Sequence, residues 1–253
     1  MSLSVSDAST SLAERLGAVA AIATVAAASP ISPNLYELTL SGVSHLAGAP
    51  GNDVMFIFDV DGQRTNRRYS VRNVDLDADT LTLWVTANHQ GVGADWVTTA
   101  TPGTQVEVIG PRGKILLNDH ADWHVFIGDT AALGAFYRMA GAIETPSKAI
   151  FIVEVDDMND AVTTTFDQGL GVTGIFVERN GRANEDPSGL LAGLAAFEFP
   201  EHEGHAYIFS EFNVMKSVAT ALRDRGLDID HISQKAFYRT GQHNAANGEP
   251  NKD

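Results

Sequence analysis

The sequence predicts an antiparallel six-stranded β-barrel in its first half and a doubly wound parallel sheet with helices in its second. Up to Gly113, short runs rich in β-branched and aromatic residues follow one another with no long helix between them. From Trp123 on, apolar strand-like runs alternate with helical ones. The character changes at residues 118–122, so the expected domains are 1–120 and 121–253.

The six barrel runs are residues 18–27, 34–42, 53–62, 67–75, 80–88 and 104–113, with Gly, Pro, Asn and Asp punctuating the gaps. The alanine-rich first run is too short and too weakly apolar to cross a bilayer, and reads as a strand. Leu81, Leu83 and Val85 alternate with Thr80, Thr82 and Trp84, as a strand with one buried face requires. Residues 91–99 have room for a short helix before the Pro102-Gly103 turn.

In the second half, strands are expected at 123–129, 148–157, 171–181, 205–211 and 232–241, and helices at 130–144, 160–168, 187–199 and 213–226. The continuous apolar run Ala149 to Val153 suits a strand buried on both faces. Ligands of such sheets bind at the carboxyl ends of the strands. The candidate positions are therefore Gly128-Asp129-Thr130, Asp156-Asp157, Glu178-Arg179 and Ser210-Glu211.

Acidic residues outnumber basic ones by 32 to 17, a net charge of −15, which argues against nucleic acid and anionic membranes as partners. The chain has no cysteine, so disulfides, thiolate zinc sites and cysteine-ligated clusters are excluded. Redox chemistry would need a borrowed cofactor. No basic and apolar leader opens the sequence and no run resembles a membrane helix, so a cytoplasmic protein is expected. His120/His124 and His202/His205 have metal-compatible spacing but no helical context or third ligand nearby, so no metal site is expected. The dinucleotide fingerprint Gly-x-Gly-x-x-Gly and a nucleophile elbow are both missing.

The sharpest motif is Arg67-Arg68-Tyr69-Ser70-Val71-Arg72. On a strand, alternation puts Arg68, Ser70 and Arg72 on one side and Arg67, Tyr69 and Val71 on the other, unless the strand bends. A guanidinium can fork onto phosphate oxygens, a phenol ring can stack on an aromatic cofactor, and a hydroxyl can bond a ring nitrogen. The same residues would also suit an exposed strand whose arginines balance nearby acids.

Arg67, Tyr69, Ser70 and Arg72 match the Arg-x-Tyr-(Thr/Ser)-x-Arg motif of the siderophore-interacting proteins, a branch of the ferredoxin–NADP reductase superfamily. The resemblance runs on in order. Gly91-Val92-Gly93-Ala94-Asp95-Trp96 resembles that family's Gly-Pro-Ala-x-x-Trp, with Val92 in place of proline. Thr101-Pro102-Gly103 and Gly110-Pro111-Arg112-Gly113 match its next turns. Gly128 to Leu133 is similar to its Gly-Asp-Glu-Thr-Ala-Leu, and Phe237-Tyr238-Arg239-Thr240-Gly241 to its terminal Tyr-Trp-Arg-x-Gly.

This resemblance implies an FAD-binding barrel followed by a nucleotide-binding domain. It implies Arg67 and Arg72 near the FAD phosphates or ribityl chain, Tyr69 stacked on the isoalloxazine and Ser70 at its N5 edge. Gly91, Val92, Gly93 and Ala94 would offer backbone N–H groups to the pyrophosphate, as helix starts do for anions. His89 stands near a family histidine and either touches the cofactor or lies in a solvated loop. Trp96 is either a cofactor contact or the apolar anchor of its helix. Thr130 is expected to cap its helix, and Asp129, Thr130 and Ala131, with Tyr238, would face flavin and nicotinamide.

The implied activity is ferric-siderophore reduction, with electrons passing from NADH or NADPH through flavin to Fe(III). Asp156 and Asp157 would bond ribose hydroxyls and lean the choice towards NADH, or form a solvated acidic loop. Arg239, helped by Lys235 and Arg179, would dock an anionic chelate against the unfavourable net charge. Met55 stands where the family often carries a siderophore-facing lysine. Two other readings remain: a ferredoxin delivers the electrons, or the protein binds siderophore without turnover.

Overall fold

A computed structural model describes residues 3–87, 91–144, 148–161 and 172–241. It divides into two compact units, Met1–Leu116 and Leu117–Asp253.

In the first unit, β1 (Val19–Pro30), β2 (Leu35–Ser41), β3 (Asp53–Val60), β4 (Gln63–Asp75), β5 (Thr80–Thr86) and β6 (Gln105–Arg112) form a closed barrel in the order β1-β2-β5-β4-β3-β6. Closure leaves no open sheet edge. Every pairing is antiparallel. Alternate residues fill the interior, among them Leu38 and Leu40, Val54 and Phe56, Leu81 and Leu83, and Val106 and Val108. Val71 joins that core, and the β4–β5 register shifts between Val71 and Asn73, so the strand bulges at Arg72.

Two helices accompany the barrel, α1 (Asp7–Arg15) and α2 (Val92–Thr99). Helix α1 was not expected, because its apolar stripe is only Leu12, Ala13 and Leu16 in a polar run. It is held from outside itself. Glu107 accepts from the Ser6 N–H (2.7 Å) and hydroxyl (3.1 Å) and pairs with Arg64 at 2.6 Å. Ser6 in turn caps the helix by accepting from Ser9 N–H.

The second unit is a parallel sheet of five strands in the order β11-β10-β7-β8-β9, made from β7 (Trp123–Asp129), β8 (Ala149–Val155), β9 (Thr173–Glu178), β10 (Gly204–Glu211) and β11 (Ile232–Tyr238). Strands β7, β8 and β10 are buried along their whole length, as central strands covered on both faces are. Helices α4 (Ser188–Ala196) and α5 (Phe212–Asp224) pack on the face bearing Val125, Ile127, Ile152, Ala206 and Ile208. Phe126, Phe151 and Phe209 point to the other face and meet Phe136 of α3 (Leu133–Ala140). The chain winds outward from β7 through β8 and β9, then returns to the far side of β7. The topological switch point therefore lies between the carboxyl ends of β7 and β10.

The helix expected from 130 opens instead as a 3-10 turn, Thr130–Ala132. Asp129, not Thr130, supplies the cap, by accepting from Ala131 N–H. Most of the helix expected at 160–168 lies outside the described residues.

Candidate functional site

One corner of the barrel gathers residues that the sequence separates. Arg67 and Tyr69 lie on the same side of β4, and α2 begins above them. Gly93 is the contact point. A Cβ there would sit 2.1 Å from Tyr69 Oη and 3.6 Å from Arg67 Cγ, so only glycine lets the helix approach this closely. Gly91, the N-cap, has φ +142, a backbone that L side chains rarely adopt.

Among the described residues no side chain caps α2. The N–H groups of Val92, Gly93 and Ala94 therefore have no intrahelical acceptor. Burial raises the Tyr69 pKa, against the opposing charge of Arg67, so the phenol stays neutral. Tyr69 meets Phe56 edge-on at 4.8 Å. Trp96 takes the anchoring place, with its ring 5.6 Å from Phe56 and 5.8 Å from Phe58. The donor set is thus a guanidinium, three backbone N–H groups and a phenol beside an aromatic floor. That set suits a phosphorylated aromatic cofactor. His89 lies outside the described residues.

The other side of β4 is occupied differently. Arg68 forms a two-pronged pair with the buried Asp53, at 2.8 and 2.7 Å. Ser70 stands beside it, half-buried and in register with Asp53. Arg72 is buried, its guanidinium 4.7 Å from the Trp84 ring centroid. Trp84 in turn donates to Glu37 at 3.0 Å. Stacking on a barrel tryptophan is thus what the structure gives Arg72. Met55 does not face outward as a siderophore contact would. It is buried with Ile109 against Ala13 of α1, which explains an apolar residue there.

The second constellation lies at the carboxyl ends of the parallel strands, on the face carrying α4 and α5. Asp129 Oδ2 accepts from Ser210 Oγ at 3.0 Å and from Tyr238 Oη at 3.2 Å. Next to it, the buried Glu154 accepts from Arg179 Nε at 2.9 Å and pairs with Arg182 at 2.7 Å. Arg179 also bonds Asp156 at 2.9 Å and reaches Asn184. Burial alone would lower the Arg179 pKa, but Asp156, Tyr238, Glu154 and Asp129 together raise it above the ordinary value.

Several expectations change here. Arg179 is not available to dock a substrate, because two carboxylates hold it below the surface. Lys235 is buried too, with Nζ 5.2 Å from the Phe237 centroid and 5.9 Å from Phe209. Asp157 is a cap: it accepts from Asn159 N–H in a reciprocal arrangement with Asp160. Arg239 is half-buried, its guanidinium 4.5 Å from the Phe212 centroid, and among the described residues it is paired to no carboxylate. The exposed Lys216 approaches the same ring at 5.4 Å. Lys216 was overlooked, although its place one helical turn after Phe212 was a usable signal.

The histidine pairs separate. His120 is exposed, whereas His124 is buried beside the stacked rings of Phe126 and Tyr207. His205 bonds Ser233, and the His202 carbonyl accepts from Trp123. Among the described residues no three His, Cys, Asp or Glu side chains group where they would hold a metal ion. No helix among them is long and apolar enough to cross a membrane.

Known proteins bear on both units. Residues 52–115 match the model of the siderophore-interacting FAD-binding domain, and residues 121–241 that of the siderophore-interacting protein. The ferric vibriobactin reductase ViuB of Vibrio cholerae serotype O1 is 32% identical over 95 residues, covering 37% of this chain. That stretch is 35% of ViuB, so the chain matches about a third of its length. A siderophore utilization protein from T. fusca superposes with a TM-score of 0.78 at 25% identity, over 91% of this chain and 96% of that one. The FAD/NAD-binding domain of a Vibrio cholerae nitric oxide dioxygenase shares the fold, with a TM-score of 0.69 at 16% identity over 86% of this chain and 98% of that one. The two family models together account for well over half of the 253 residues, and the chain belongs to the siderophore-interacting protein family.

Proposed function

We propose that the chain is an FAD-dependent ferric-siderophore reductase fed by a nicotinamide nucleotide. The observation that carries this reading is the barrel corner, where Arg67, Tyr69 and the helix start that Gly93 brings against them lie together. The residues fit FAD. A diphosphate asks for several N–H donors and a guanidinium, and a flavin ring asks for a flat neutral partner, which Tyr69 supplies. Arg67 and the N–H groups of residues 92–94 would hold the phosphates, and Ser70 would bond the ring edge.

Bound FAD would supply the change from a two-electron donor to one-electron acceptors. NADH or NADPH gives up two electrons as a hydride, and two ferric chelates each take one. The siderophore's oxygens hold the iron, so the protein needs no iron ligand of its own. Ferrous iron binds such hard oxygen ligands more weakly, and reduction releases it. No side chain has to move a proton to the iron. The chain's own tasks are to orient the flavin, to seat the donor at the end of the second sheet and to bring an anionic chelate near. Asp156 follows β8 and is paired with Arg179; a bond from its carboxylate to a ribose hydroxyl would favour NADH. Arg239 and Lys216 on Phe212 are the cations proposed to meet the chelate.

The ferric vibriobactin reductase among the relatives supports this chemistry. The test is direct. Purified protein should be yellow, release FAD on heating, lose its flavin absorbance with NADH, and regain it on adding a ferric siderophore. Release of FMN, or no flavin after reconstitution, overturns the cofactor. A flavin bleached by reduced ferredoxin but by neither nucleotide would replace the donor.

A further inference from the structure

Strand pairing does not reach Arg239. The β10–β11 ladder ends where Glu211 faces Tyr238, and Arg239 lies one residue beyond. The register has already shifted there: Ser210 faces Ala236, so Phe237 is an extra residue and the strand bulges. Phe237 stacks on Phe209, with centroids 5.3 Å apart. Past the ladder, Thr240 N–H donates to Glu211 Oε1 at 3.1 Å. Glu211 is wholly buried, and its other oxygen accepts from the N–H groups of Asn213 and Val214 at the start of α5. That helix carries Phe212, whose ring lies 4.5 Å from the Arg239 guanidinium, and Lys216, which approaches the same ring at 5.4 Å.

We infer that Glu211 is a positioning residue for substrate docking: its carboxylate joins the start of α5 to the end of β11 and so sets Arg239 over the ring that Lys216 also approaches. The inference rests on the reductase reading above, in which those two cations meet an anionic chelate. A carboxylate can do both tasks because each of its oxygens accepts. Capping the helix alone asks for less. Aspartate is a preferred cap and reaches the first turn, but it is a methylene too short to span to Thr240 as well. Glutamine has the length, but it offers a single accepting oxygen and turns its NH2 towards the other N–H groups.

The test uses the FAD-loaded full chain and two variants, Glu211→Asp and Glu211→Gln. The first readout needs no substrate. The Arg239 Nε–H resonance, assigned by its loss in Arg239→Ala, should stand upfield in the wild type, because the guanidinium lies over a ring. It should return to the ordinary arginine position in both variants. The second readout is steady-state turnover. Each variant should raise the KM for an anionic ferric tris-catecholate about two- to fivefold, and leave kcat and the KM for a cationic ferric tris-hydroxamate unchanged. Added to Arg239→Ala, either change should raise the anionic KM little further, since the residue it acts through has gone.

A merely structural Glu211 would affect both chelates alike and add in full to Arg239→Ala. That outcome, or an Arg239 resonance that moves in neither variant, overturns the inference. The reductase reading has a separate readout. Photoreduced flavoprotein that neither chelate reoxidises removes that reading, whereas the resonance still decides whether Glu211 sets Arg239 in place.

Discussion

The barrel corner and the end of the parallel sheet solve opposite electrostatic problems. At the corner, Arg67, Tyr69 and Gly93 come from nearby stretches of chain, and the missing side chain of Gly93 lets the helix start pack against the Tyr69 hydroxyl. The result is a donor-rich place in a protein of net charge −15. At the sheet end, the buried acids Asp129 and Glu154 come first, and arginines and hydroxyls are arranged around them. Positive charge there is consumed internally. On the reading proposed above, the first region would receive a diphosphate, whereas the second spends its cations on its own acids. The difference shows how an acidic chain can serve anionic ligands: it concentrates its donors rather than its charge.

The contrast breaks most visibly at Glu154. It compensates Arg179, which is buried, and Arg182, which is partly exposed. Removing one partner of a buried pair costs about 3–5 kcal/mol, because the other charge is left without compensation. Arg179 keeps Asp156, so Glu154→Ala should fall near the low end, about 3 kcal/mol. Urea denaturation should show the loss while the flavin remains bound. A change below about 1 kcal/mol would mean that the network is solvated and that the sheet end is not the buried, internally compensated cluster described.

The amino end of the same sheet should respond to acid. His124 is buried and its pKa is pushed down to about 4, by burial first and then by the Lys148 charge. Its unfolded value is near 6.5, so between those two values the unfolded chain binds more protons. Stability from this group is complete above about pH 6.5 and is lost as pH falls towards 4, to a total of about 2–3 kcal/mol. His124→Phe, which keeps a ring beside Phe126 and Tyr207, should flatten that slope. An identical pH profile in the variant would assign the acid sensitivity elsewhere.

How much of this was legible follows from the same contrast. The Arg67–Tyr69 and Gly91–Gly93 motifs are local patterns, and the six strands announce themselves by alternation and by turn residues. The sheet end is not local. Tyr238 and Asp129 are 109 residues apart and Arg179 and Glu154 are 25 apart, so no spacing in the sequence shows that they meet. Reading Arg179 and Lys235 as docking groups treated each cation by itself, when strand order and register decide what neutralises or buries it. The burial of Met55 was hidden for a related reason. The helix that covers it carries too short an apolar stripe to be recognised alone. Lys216 was within reach, one turn along its helix from Phe212, but Phe212 becomes a platform only once Arg239 arrives from β11.

At the barrel corner the expected loss is in affinity, not stability. Arg67 is half-buried and its Nη1 donates to the Asn66 carbonyl at 2.7 Å, an arrangement that water can replace. Losing a charge-assisted phosphate contact costs about 1.5–3 kcal/mol, roughly ten- to a hundredfold in flavin affinity. Arg67→Ala should therefore purify largely colourless with an unchanged unfolding midpoint of the apoprotein. Glu154→Ala should do the reverse. Normal flavin occupancy in Arg67→Ala would take this arginine out of the cofactor site and leave the helix start to hold the phosphates by itself.

The smallest effect is expected at Arg239, where the two modes of handling charge meet. Its guanidinium lies on Phe212, and Thr240 N–H is tied to Glu211 at 3.1 Å, so the backbone beside it is fixed. Lys216 shares the ring from the helix side. Among the described residues neither cation is consumed by a buried acid as Arg179 is, which makes this the sheet unit's counterpart of the barrel corner. An exposed ion pair is worth only about 0.2–1 kcal/mol, so Arg239→Ala should raise the KM for an anionic ferric siderophore about two- to fivefold. Adding Lys216→Ala should extend the loss. Both effects should shrink as salt screens the attraction, and flavin reduction by NADH should stay as in the wild type. A cationic or neutral chelate should be indifferent to both changes. If its KM rises as much as that of the anionic chelate, the residues shape the ring's position rather than attract charge. An anionic KM unchanged at low salt would remove this pair from the substrate's path.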